Sequence, residues 1–171
     1  GGAQLGKSIV ILGGGTIGLM VLQACKSLGA TDITVVDIMQ KRLDLAKKLG
    51  ATRVINGKDE DTVAVLRSPE LYGDHGVDIV FEAAGSAFTA QQAVEIVARG
   101  GKIMMVGTHS KPVPINFLKI NREVTIQTSF RYCNNFPQTI EAIASGKFNV
   151  KDMVTHIYDY KDVQQAFTDA I

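Results

Sequence analysis

The segment VILGGGTIGLM, Val10 to Met20, sets Gly13, Gly15 and Gly18 in a GxGxxG spacing between two apolar runs. In a chain with 17 glycines the spacing alone says little; its place between a strand and a helix gives it meaning. The first glycine permits a tight turn, the second lets the backbone approach a pyrophosphate, and the third lets helix and strand pack closely. A helix starting near Thr16 presents free N–H groups and a partial positive charge to phosphates. Gly14 is extra to the pattern and eases the turn. Asp37 ends a second β-rich run, 19 residues after Gly18. A carboxylate there can accept both ribose hydroxyls of an adenosine and repels a 2′-phosphate, so the pair of features predicts NAD over NADP. Arg42 argues weakly the other way, or stacks on adenine or touches the ribose.

Short β-rich runs alternate with helical patterns. Strands are expected at Ser8–Leu12, Asp32–Asp37, Arg53–Ile55, Val77–Glu82, Lys102–Val106 and Val124–Thr128. Helical stripes are expected at Thr16–Leu28, Gln40–Leu49, Asp59–Arg67 and Ser86–Arg99, with a later helix carrying Phe136, Ile140 and Ile143. Lys111–Pro114 reads as a connection, because two prolines make a poor central strand. His156–Tyr158 reads as a short strand before a last helical pattern. Alternation of this kind implies right-handed crossovers and a parallel sheet covered on both faces. Six strands suit the doubly wound Rossmann α/β order 3-2-1-4-5-6, in a single domain over residues 1–171.

Ligands of such sheets lie outside the carboxyl ends of the strands. Glu82-Ala83-Ala84-Gly85 follows the fourth strand with small residues that leave room for a flat ligand. Val106-Gly107-Thr108 follows the fifth, and Ser129-Phe130-Arg131-Tyr132 the sixth. Backbone groups at these places could hydrogen-bond a nicotinamide carboxamide.

Hydrophobic residues are 46% of the chain, charged residues 20%, and the net charge is +1, a globular composition. No basic stripe speaks for nucleic acid, and no apolar run approaches the roughly 18 residues that span a bilayer. Cys25 and Cys133 form no CxxC pair, which favours a reduced, cytoplasmic setting over a disulfide framework. His75, His109 and His156 are scattered, and no Cys/His cluster has zinc spacing. His109 lies just beyond the fifth strand, near the expected cleft.

The chain resembles the medium-chain dehydrogenase/reductase family, and within it the zinc-dependent sorbitol and xylitol dehydrogenase branch. The resemblance rests on ILGGGTIGLMVLQACKSLGA, VVD followed by Arg42, KKLGATRVIN, VDIVFEAAG, GGKIMMVG and SFRYCNNFPQTIEAIASGKFNVKDMVTHIY. It implies a cofactor site of Gly13, Gly15, Thr16, Ile17 and Gly18 at the pyrophosphate. Asp37 and Arg42 would hold the ribose, and Val106, Gly107, Thr108, Ser129, Phe130 and Arg131 the nicotinamide. Arg131 and Tyr132 would also face a polyol substrate. The family's catalytic zinc is held in a separate domain whose ligands cannot be assigned in this sequence, so no catalytic or metal-ligating residue is expected here.

The opening Gly1-Gly2-Ala3 and a helical face at 163, 166, 167, 170 and 171 read as cuts in a longer polypeptide, leaving a fragment without activity of its own. The expected function is the NAD-binding domain of a zinc-dependent dehydrogenase acting on a small alcohol or polyol. An NAD-sensing module without chemistry, a metal-free quinone-reductase-like enzyme and an S-adenosylmethionine-binding fold are the alternatives. The sixth strand, as an exposed edge, is expected to pair in a homo-oligomer.

Overall fold

A computed structural model describes residues 2–120 and 122–170. Gly1 and Ile171, which belong to the two expected cut ends, lie outside the described residues. The strands are β1 (Ser8–Leu12), β2 (Asp32–Asp37), β3 (Arg53–Asn56), β4 (Val77–Glu82), β5 (Val97–Met105) and β6 (Thr125–Thr128). They form one sheet in the order β3-β2-β1-β4-β5-β6, with every neighbouring pair parallel. This is the expected doubly wound arrangement.

The central strand shows why. Ile9, Val10, Ile11 and Leu12 are all fully buried, since helices cover both faces. Alternate residues serve opposite faces. Ile9 and Ile11 join a core with Leu22 of α1 (Thr16–Ser27) and Ala46 of α2 (Gln40–Leu49). Val10 and Leu12 join a second core with Leu66 of α3 (Thr62–Leu66) and Ile96 of α4 (Ala87–Ile96). Each such aliphatic side chain contributes about 1.5–3 kcal/mol on burial, and because every strand runs the same way the loops after the strands share one sheet edge.

Four details depart from the sequence expectation. α3 begins after Asp61, not at Asp59, because the Asp61 carboxylate accepts the N–H groups of Val63 and Ala64 and caps the helix there. α4 ends at Ile96 and β5 starts at once at Val97, which pairs with Val77 across a register break. A four-residue helix, α5 (Phe117–Ile120), buries Ile120 against the second core. No strand forms at His156–Tyr158. That stretch is largely exposed and pairs with no neighbour, and the Tyr158 hydroxyl donates instead to Asp169 Oδ2 at 2.7 Å.

From Ser129 to Ala170 no residue is buried. α6 (Phe136–Ala144) and α7 (Val163–Asp169) lie in this segment. Phe136 and Ile140 of the α6 stripe are each 63% exposed. One tie to the body of the domain is Gln23 of α1, whose Oε1 accepts the Asn149 N–H at 2.6 Å and whose Nε2 donates to Asn149 O at 3.3 Å.

Candidate cofactor-binding site

The three motif glycines serve different ends. Gly13 sits at φ +109°, a left-handed conformation, and a Cβ there would stand 2.8 Å from Ala84 N. A Cβ on Gly18 would stand 1.8 Å from Gly13 O, so α1 can lie against its own entry turn only with glycine at that place. Gly15 differs. Its φ is −71°, open to any residue, and a Cβ there meets nothing within 4 Å. The fold does not require glycine at 15, and the space beside its backbone is open.

Gly15 is also the N-cap of α1. No side chain caps that end and no acidic residue lies in its first turn. The leading N–H groups of a helix lack intrahelical partners and carry partial positive charge. Here Thr16, Ile17 and Gly18 supply them, beside an Ile17 that is 53% exposed. An anion finds its donors at this turn without further machinery.

Asp37 is nearly buried at the end of β2. Its Oδ2 accepts the Gly14 N–H at 2.7 Å and lies 3.4 Å from Arg42 Nη1, while its Oδ1 accepts the Met39 N–H at 2.8 Å. Gly14 is therefore more than slack in the turn: a Cβ on it would come 3.3 Å from Asp37 Cβ. Arg42 is half-exposed and paired with Asp37, so the carboxylate compensates part of its charge.

Beside these residues opens a cavity of about 380 Å³, within the range of small-molecule sites. Gly13, Gly15, Val36, Asp37, Ile38, Arg42, Gly57, Thr62, Ala83, Ala84, Ser86, Phe88, Thr89 and Gln92 line it. The sequence reading missed Ile38, Thr62, Phe88 and Gln92, because nothing in their types marks them: Ile38 follows β2, Thr62 opens α3, and Phe88 and Gln92 arrive with α4.

Val106, Gly107, Thr108, Ser129, Phe130, Arg131 and Tyr132 do not line this cavity. They stand further along the same sheet edge, at the ends of β5 and β6. The Val106 and Gly107 N–H groups donate to Glu82 O at 2.8 and 2.9 Å, and the Ser129 N–H to Met105 O at 2.9 Å. The Arg131 guanidinium lies 4.8 Å from the Phe130 ring centroid, and Tyr132 meets Phe136 edge-on at 5.2 Å. Phe130 and Tyr132 are both largely exposed. Of the expected site residues, Gly13, Gly15, Asp37 and Arg42 line the cavity; Thr16, Ile17 and Gly18 follow at the start of α1, and the others stand at the ends of β5 and β6.

Glu82, which the sequence reading named only as the start of the stretch after the fourth strand, is fully buried at the end of β4. An acid at a strand end, directly before the small residues Ala83-Ala84-Gly85, was the signal for it. Among the described residues, no group of three or more His, Cys, Asp or Glu side chains could hold a metal ion. Among the described residues, no helix is long and apolar enough to cross a membrane.

Residues 16–145 match the zinc-binding dehydrogenase family. The chain belongs to that family. A zinc-binding dehydrogenase relative, the sorbitol dehydrogenase of Bacillus subtilis, is 39% identical over 98% of this chain and 48% of its own length. An oxidoreductase/dehydrogenase of unknown specificity from Escherichia coli superposes with a TM-score of 0.94 at 63% identity, covering 99% of this chain and 48% of that one. A zinc-binding dehydrogenase from Sinorhizobium meliloti, solved bound to NADP, superposes at 0.85 with 29% identity over 90% of this chain and 46% of that one. The chain spans about half the length of the curated relatives it matches. The polyol-dehydrogenase likeness expected from the sequence agrees with these family members.

Proposed function

We propose that this chain is the NAD(H)-binding domain of a zinc-dependent alcohol or polyol dehydrogenase that oxidises a secondary alcohol. The observation that carries the reading is Gly15, a glycine the fold does not need, at the uncapped start of α1 and the mouth of a cavity. In this reading the N–H groups of Thr16, Ile17 and Gly18 hold the pyrophosphate. Asp37 and Arg42 take the adenosine ribose, with the base between Ile38 and Ala83-Ala84. Val106, Gly107, Thr108, Ser129, Phe130 and Arg131 receive the nicotinamide, and Arg131 and Tyr132 flank the substrate. Bound there, the dinucleotide supplies the hydride acceptor of the reaction. The described residues offer no ligand set for zinc, so no step at a metal is assigned to this chain.

Asp37 also supports NAD over NADP. A 2′-phosphate would have to approach a buried carboxylate whose neighbouring cation, Arg42, is already paired with it. The exposed stripe of Phe136 and Ile140 on α6 supports a partner domain, since about half of each relative's length lies outside this match. The exposed edge at β6 supports a homo-oligomer formed strand to strand.

Calorimetric titration of the chain with NADH, NADPH and S-adenosylmethionine tests the reading. NADH is expected to bind best, with the preference over NADPH lost in Asp37→Ala. Tight binding of S-adenosylmethionine, or of NADPH over NADH, would sink it. A sedimentation run showing only monomer at high concentration would remove the oligomer.

A further inference from the structure

Two loops meet over Glu82. Its Oε1 accepts three donors: the Ala84 N–H at 3.0 Å, the Gly85 N–H at 2.8 Å and the Thr89 hydroxyl at 2.7 Å. That load suits a carboxylate, which only accepts. Its Oε2 has no hydrogen-bond partner, though the side chain is wholly buried. Facing it at 3.5 Å is His109 Nε2, also buried and also without a hydrogen bond. The separation is too long for a strong charge-assisted bond, which closes to about 2.7–2.9 Å. The loop between the two residues has no slack. A Cβ on Gly107 would stand 2.5 Å from Glu82 Oε2 and 2.4 Å from Gly85 N, and one on Gly85 would stand 2.6 Å from Thr108 O.

We propose that His109 is a positioning residue for the nicotinamide turn, and that its protonation, through Glu82, couples dinucleotide affinity to pH. The inference rests on the cofactor reading above. Glu82 holds the 83–85 turn by Oε1 and offers Oε2 to the 106–109 turn. As imidazolium, His109 supplies the charge this buried oxygen lacks and pins Val106-Gly107-Thr108 in place. As neutral imidazole it leaves a buried carboxylate uncompensated, which is costly, and the turn loosens. Leu12 of β1 and Met105 of β5 flank Glu82 in the sheet, and α4 contributes Thr89. Among the described residues, neither Glu82 nor His109 makes another ion pair.

The test measures the dissociation constant for NADH on this chain between about pH 5 and 8, where histidines change charge. Wild type is compared with His109→Asn and with Glu82→Gln, which keeps an oxygen for the three donors and removes the charge. Wild-type affinity is expected to fall by about fivefold or more from the acid to the alkaline end, and both variants to be flat. His109→Gln repeats the comparison if the asparagine variant does not fold. A purely structural histidine would lower affinity equally at every pH. A flat wild type, or a wild-type slope that survives in His109→Asn, overturns the inference and leaves the cofactor reading standing. Absence of dinucleotide binding at every pH overturns both.

Discussion

The Gly14 N–H donates to Asp37 Oδ2 at 2.7 Å, binding the glycine turn to the end of the neighbouring strand. The phosphate-facing and ribose-facing parts of the proposed site are therefore one hydrogen-bonded unit. A change at Asp37 must affect both.

Asp37→Asn keeps the shape of the side chain and removes its charge. Its amide can serve Gly14 or Met39 by its one oxygen but not both. The variant is expected to lose about 1–3 kcal/mol of stability for the stranded buried N–H. It should also bind NADPH nearly as well as NADH. Chemical denaturation reads the first effect and paired titrations the second.

Gly18→Ala puts a methyl group into the space of Gly13 O. The backbone there cannot yield without moving α1 off β1. The expected cost is about 3 kcal/mol, a fall in melting temperature of roughly 6–12 °C for a chain of this size. A thermal scan by circular dichroism checks it. An unchanged melting temperature would mean that the turn and helix do not meet as described.

Asp78 gives a pH signature to stability. Burial opposes its charge, but hydrogen bonds from the Ser8 N–H and hydroxyl at 3.0 Å and from Lys7 at 2.9 Å outweigh it and hold its carboxyl below the ordinary value. A depressed value in the folded state favours folding above the ordinary carboxyl pKa. The benefit disappears as pH falls through the folded-state value. Unfolding free energy should drop below about pH 4, and Asp78→Asn should flatten that acid limb.

The α6 stripe makes the opposite kind of prediction. Ile140 is 63% exposed, so Ile140→Ser should leave the stability of the chain within about 0.5 kcal/mol of wild type. Serine at a helix core position would cost several times more. Denaturant titration separates the two.

Much of the architecture was legible because local and global signals agree. Continuous apolar runs such as Ile9–Leu12, short and rich in β-branched residues, suit strands covered on both sides, and helical stripes between them leave little choice of topology. Gly13 and Gly18 announced the turn. What escaped depends on contacts between distant segments. Gly14 looked dispensable because its partner, Asp37, is on another strand. Glu82 looked like a strand end because His109 meets it only after β5 is laid beside β4. The end of α4 could not be read, since Val97 and Ala98 suit a helix as well as a buried strand, and pairing with Val77 decides it. His156–Tyr158 has the composition of a strand but no neighbour to pair with among the described residues.

Gly15→Ala addresses the central claim, that the glycine turn exists to hold a dinucleotide. The added methyl group touches no protein atom, and φ is −71°, so the variant should fold with nearly the wild-type melting temperature. Calorimetry with NADH on the folded variant should show affinity reduced by about tenfold or more, the loss of at least one good backbone contact to phosphate. A folded Gly15→Ala chain that binds NADH as tightly as wild type would contradict the account.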